Sequence, residues 1–131
     1  MTADYHTHTI YSHGKGTVEE NVLEALAKGL DTICISEHGS GHLLYGVKKD
    51  RLLQLKNEIL QLREKYPAIT ILFGIEANII NYDGTIDVEA YLDIFDVVLV
   101  GMHYMIRFNK FAYYYGTNFL SRYLGLFRDY C

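Results

Sequence analysis

The chain has 131 residues, half of them hydrophobic and 21% charged, with a net charge of −4. That length suits one domain with a real core and is too short for two comfortable ones, and the acidic balance gives no reason to expect nucleic acid or an anionic membrane as a partner. A single proline among 11 glycines argues against disorder, and two cysteines, Cys34 in an apolar run and Cys131 at the last position, read as reduced thiols rather than a disulfide framework.

The N-terminus, MTADYHTH, has neither a basic n-region nor an apolar h-region, so no signal peptide is expected. Residues 3–6 read as a short strand that runs into a histidine cluster. Thr17 with Glu20 three residues on has capping-box spacing, Val18, Val22, Leu26 and Leu30 follow at helical intervals, and Gly29 marks the exit. TICIS, residues 32–36, is an apolar β-branched strand. Residues 48–66 form the clearest helix: Leu52, Leu55, Ile59, Leu62 and Tyr66 recur in steps of three and four until Pro67 stops the run. The charge run Lys48-Lys49-Asp50-Arg51 is its solvated start. Residues 69–73 are the next strand, and residues 76–80 extend it or open a small hairpin through Asn81-Tyr82-Asp83-Gly84. Asp87 is expected to cap a short helix reaching about Phe95. Residues 97–100 form a fourth strand, inside an apolar run (DVVLVGM) far too short to cross a bilayer. A cytoplasmic protein is therefore expected. Thr117 is expected to cap a last helix with Leu120, Tyr123, Leu124 and Phe127 on one face. Apolar strands separated by amphipathic helices predict an α/β domain with a parallel sheet.

The chemistry lies where these strands end. His6 and His8 are two residues apart and share a face, His13 follows in the first loop, and His38, Glu76 and His103 each follow a later strand. In a barrel of parallel strands those positions converge on the C-terminal rim. Each residue taken singly is explained by packing or a salt bridge; their joint placement points to a site for Zn²⁺, Mn²⁺ or Fe²⁺, held by imidazoles and a carboxylate without thiolates. Ions so held lower the pKa of bound water and neutralise charge on a phosphoryl group. Glu37 reads as a supporting residue rather than a ligand, His42 as a solvent-exposed loop histidine, and Tyr5, Tyr11 and Tyr45 as pocket or packing residues.

DYHTHT, SEHG, GIEANI and GMH, in this order, resemble the ordered motifs of the PHP (polymerase and histidinol phosphatase) family, and GIEANIINYDGTID is similar to the small bacterial stand-alone PHP phosphatases. The resemblance covers the chain to about His103 and is looser beyond. It implies a distorted seven-stranded β/α barrel of which this chain supplies the first four strand-helix units, an incomplete barrel. It implies up to three metal ions: His6 and His8 on one, with Glu76 bridging to another; His13 and His38 on a second; His103 with Glu76 on a third. Glu76 and His103 are then the catalytic residues, and the implied reaction is phosphomonoester hydrolysis by metal-activated hydroxide on a small phosphorylated substrate. Histidinol phosphate is the substrate of one branch, and another branch lies within bacterial DNA polymerases.

The family pattern continues with a further histidine and an Asp-x-His pair, whereas this sequence has no histidine after His103. The single domain, residues 1–131, thus reads as C-terminally truncated, and each of the three metals lacks an expected ligand. An open four-stranded sheet leaves edges and an apolar face. The tail, which holds six of the 12 tyrosines after residue 103, is expected to cover that face or to pair with a second copy or a complementing chain. A shortened gene product, a fragment and a half-barrel completed by a partner all stay open, as does a metal-binding remnant or interaction module without catalysis.

Overall fold

Short apolar runs alternating with amphipathic ones give, in the computed structural model, which describes residues 2–108, four strands joined by helical crossovers. The elements are β1 (Ala3–Thr7), α1 (Val18–Ala27), β2 (Thr32–His38), α2 (Lys49–Lys65), β3 (Thr70–Asn78), a 3-10 helix (Glu89–Ile94) and β4 (Val97–Gly101). All neighbouring strands pair in parallel in the order β1-β2-β3-β4, forming a curled half-barrel. The helix expected after Thr117, and all of the aromatic tail beyond Phe108, lie outside the described residues.

Local chemistry sets the helix ends. Thr17 Oγ1 accepts from the Glu20 amide at 3.2 Å while Glu20 Oε2 accepts from the Thr17 amide at 2.7 Å, which satisfies two amides that the first turn of α1 would leave open. At its other end Gly29 takes φ +72°, a conformation glycine adopts without a Cβ penalty. The Gly29 and Leu30 amides then reach back to the Leu26 and Ala25 carbonyls, each at 3.0 Å. On α2, Leu52, Leu55, Ile59 and Leu62 form one buried stripe against the sheet, while residues 48–51 at its start are all exposed.

Period-two alternation sorts the two sheet faces. Ile33 and Ile35 of β2 and Ile71, Phe73, Ile75 and Ala77 of β3 join the helix-facing core. The opposite face carries Cys34, Ser36 and His38 beside Leu72, Gly74, Glu76 and Asn78, and in the β2–β3 register His38 lies directly across from Glu76. Gly74 leaves room for the Cys34 sulfur, which a Cβ there would strike. Burial pushes the Cys34 thiol up to about 12, so it stays a neutral, inert packing group, as a reduced cysteine should.

β3 continues past Glu76 to Asn78, and an antiparallel Ile79–Ile86 bridge closes the expected small hairpin, with Gly84 at φ +89°. The short helix expected up to Phe95 forms, but Asp87 does not cap it. It is a kinked 3-10 helix after Val88, without a side-chain cap, because the Asp87 carboxylate is committed to the Asn78 and Gly41 amides.

The stripe predicts a sharp contrast within α2. Leu55→Ala, at a fully buried position, should lower unfolding free energy by about 2–5 kcal/mol, whereas Leu53→Ala, at an exposed one, should change it by about 0.5 kcal/mol or less. Urea denaturation of the two variants checks this; equal losses would mean that α2 does not seat on the sheet as described.

Candidate metal centre

The C-terminal strand ends bring one carboxylate among four imidazoles. Glu76, on β3, places Oε2 3.1 Å from His6 Nε2, 3.1 Å from His38 Nδ1 and 3.4 Å from His8 Nε2. Its other oxygen, Oε1, lies 2.8 Å from His103 Nε2. His6 and His8 flank the end of β1, where a register shift between Asp4 and Thr7 inserts an extra residue, and their Nε2 atoms are 3.2 Å apart. His13, in the loop after β1, sets its ring 4.3 Å from His8 and 4.9 Å from His38. All six sequence-predicted site residues are thus brought together.

Three overlapping groups have ligand atoms within 4.8 Å of one another: His6–His8–Glu76, His8–His13–His38 and His38–Glu76–His103. Three buried atoms among them, His8 Nδ1, His38 Nδ1 and Glu76 Oε2, have no hydrogen-bond partner among the described residues. Each buried orphan costs about 1–3 kcal/mol. A cation seated between imidazole lone pairs and carboxylate oxygens would relieve all three, so the residues fit a divalent transition metal.

The electrostatics agree. Burial, reinforced by His8, His42 and His103 and opposed by Glu76, lowers the His38 pKa to about 4 and leaves that imidazole neutral and ligand-competent at neutral pH. Burial works to raise the Glu76 carboxyl, but the close approach of the His103, His6 and His38 rings outweighs it and holds the group below the ordinary carboxylate range. Glu37 is fully buried, and burial likewise works against its charge. Contacts from His8, Ser12 and Thr9 nonetheless keep it ionised. It accepts from the Thr9 amide at 2.7 Å, from Thr9 Oγ1 at 2.5 Å and from Ser12 Oγ, so it clamps the loop that carries His13, the supporting role its sequence position suggests.

Over the cluster opens a cleft of about 630 Å³, within the usual range for a small-molecule site of about 300–1,000 Å³. Its rim adds Leu44, Tyr45, Met102, Tyr104 and Met105. His42 is not the free loop histidine expected. It is half-buried on this rim, with its ring 4.8 Å from His38, and its Nδ1 accepts from the Tyr45 amide at 3.1 Å. Burial and the neighbouring His103 and His13 lower its pKa. The Gly-rich stretch between His38 and His42 folds the loop back over the site, a signal present in the sequence. Of the three tyrosines only Tyr45 faces the cleft; Tyr11 packs against the core and donates to Glu58 at 2.9 Å, and Tyr5 is exposed away from it. Asn78, not singled out in the sequence, and Asp87, read there only as a helix cap, also reach the site: Asn78 Oδ1 is 2.7 Å from His103 Nδ1, and Asn78 Nδ2 donates to Asp87 at 2.7 Å. Asn78 was findable as the next same-face residue after Glu76 on β3. No helix among the described residues is long and apolar enough to cross a membrane.

The PHP domain family model matches residues 4–130. The chain belongs to the PHP family. Among its relatives, a protein of Thermoanaerobacter sp. named "probable phosphatase" is 36% identical over 110 residues, covering 79% of this chain and 41% of its own length. Another "probable phosphatase", from Acetivibrio thermocellus, is 38% identical over 105 residues, covering 79% of this chain and 42% of itself. The solved structure of histidinol phosphate phosphatase from Lactococcus lactis, complexed with zinc, L-histidinol and phosphate, superposes with a TM-score of 0.63 at 28% identity over 78% of this chain and 40% of that one. This PHP chain therefore spans about two fifths of the length of the relatives it matches.

The lowered histidine pKa values carry a pH signature for the metal-free PHP chain. Unfolding frees His38 to bind a proton near pH 6.5 that the folded state refuses until about 4, so stability should fall as pH drops across that window, with His42 acting in the same sense. Below the ordinary carboxylate pKa, protonation of Glu76 should lower it further. Urea midpoints at neutral and acidic pH read this directly; a flat profile between pH 6.5 and 4, or no change in slope in His38→Gln, would contradict it.

Proposed function

We propose that this chain carries the metal-binding part of a PHP phosphoesterase that hydrolyses small phosphomonoesters. The observation that carries the reading is the set of four imidazole nitrogens around one carboxylate, with buried ligand atoms that lack hydrogen-bond partners among the described residues. In this reading His6 and His8 hold one ion with Glu76, His13 and His38 a second, and His103 with Glu76 a third. Glu76 would contribute to two of these sites, since its oxygens face different partners, Oε2 toward His6, His8 and His38 and Oε1 toward His103. Zinc, manganese or iron, when bound, supplies activation of water and neutralisation of phosphoryl charge.

The chain's own residues hold that chemistry in place. Glu37 fixes the loop bearing His13, and the neutral His38 keeps its lone pair available near pH 7. The presence of phosphate and L-histidinol in the Lactococcus relative supports a small phosphorylated substrate.

Incubating the 131-residue chain with Zn²⁺, Mn²⁺ or Fe²⁺ and an aryl phosphate tests this. The expected result is metal-dependent release of phosphate that Glu76→Gln lowers by about 10²–10³-fold, the loss typical when one preorganised electrostatic element is removed. Full metal loading without turnover would overturn the catalytic reading in favour of a metal-binding module.

A further inference from the structure

Beneath the imidazole cluster lies a second layer of polar side chains with no assigned role. Asn78 is fully buried on β3, two residues past Glu76 and on the same face. Its Nδ2 donates to Asp87 Oδ2 at 2.7 Å and to the Gly39 carbonyl at 3.3 Å. Both partners only accept, so the amide cannot turn over without setting its oxygen against a carboxylate and a carbonyl. Asp87 is itself anchored, since its Oδ2 also takes the Gly41 amide at 2.7 Å and its Oδ1 the Asn78 amide at 3.0 Å. The side-chain oxygen of Asn78 is thereby committed to the remaining direction, where it meets His103 Nδ1 at 2.7 Å.

An oxygen that can only accept requires a donor on that ring nitrogen. His103 Nδ1 therefore carries the hydrogen, and in the neutral ring Nε2 is bare. That bare nitrogen sits 2.8 Å from Glu76 Oε1, so two lone pairs face each other across a gap that a proton or a metal ion would fill. We propose that Asn78, locked by Asp87, is a positioning residue that fixes His103 as the Nδ1–H tautomer and aims its Nε2 lone pair at the Glu76 oxygen. Asp87 so ties the loop after β2 and the hairpin after β3 to the side chain that follows β4. The metal consequence rests on the function proposed above; the tautomer does not.

Two-bond ¹H–¹⁵N correlation spectra of the metal-free, ¹⁵N-labelled chain, taken at about pH 8.5 where ordinary imidazoles are neutral, read the tautomer directly. His103 should show a protonated Nδ1 and a bare Nε2; an Nε2–H ring or a mixture of both forms in the wild-type chain overturns the proposal without any variant. Asn78→Leu, similar in shape but without an acceptor, should mix the two forms, and an unchanged Nδ1–H ring in Asn78→Leu would equally overturn it. In parallel titrations, Asn78→Leu should weaken Zn²⁺ binding about 10–100-fold, and equal affinity in the wild-type chain and Asn78→Leu would contradict the positioning role. A wild-type chain that binds no Zn²⁺ but shows the single tautomer would remove the proposed phosphoesterase function and leave the Asn78 assignment standing.

Discussion

A negative charge held under 10% exposure at the end of a buried strand is the constraint around which this structure is arranged. Glu76 is 8% exposed and stays ionised only because imidazoles approach it from β1, β2 and the segment after β4. Isolated in a low-dielectric site, the carboxylate would protonate rather than remain charged. Neutral imidazoles stabilise it only in part, since His38 is itself pushed toward the neutral form by the same burial. The cluster thus has a built-in deficit of positive charge, and a divalent cation is the species that fits both the charge and the donor set.

The sheet supplies the geometry cheaply. Parallel register sets His38 and Glu76 side by side, and strict alternation sends their neighbours Ile35, Phe73, Ile75 and Ala77 into the helix-facing core. Packing energy from the core therefore rigidifies the strands that carry the polar cluster without competing for the same face. Two acids then bind the loops: buried Glu37 takes the loop after β1, and half-buried Asp87 takes the loop after β2 together with the Asn78 side chain. Side chains held this way lose little further entropy when a ligand arrives, which is what preorganised sites require.

Much of this was legible from residue order. The capping box at Thr17, the glycine exit at Gly29 and the stripe on α2 are local signals, and the structure has them where the spacing put them. The six site residues could be grouped because strand ends of a parallel sheet point one way. What escaped were residues whose role depends on distant partners. Asp87 has the sequence context of a helix cap, yet its carboxylate finds Gly41, which lies 46 residues earlier in the chain. His42 sits in a polar, glycine-rich stretch that reads as solvated, and only the folding back of that loop, bridged to Ile106, brings it to the rim. Such tertiary commitments override local propensity and leave no periodic trace.

The central claim is that Glu76 joins the imidazole groups into one metal centre, and counting ions per chain tests it most directly. Native mass spectrometry and elemental analysis of the wild-type chain and Glu76→Ala, both loaded with Zn²⁺ and freed of excess, give that count. The account predicts two or three ions on the wild-type chain and a loss of more than one from the single substitution, because both carboxylate oxygens face separate imidazole sets. Equal metal content in the two proteins would contradict it.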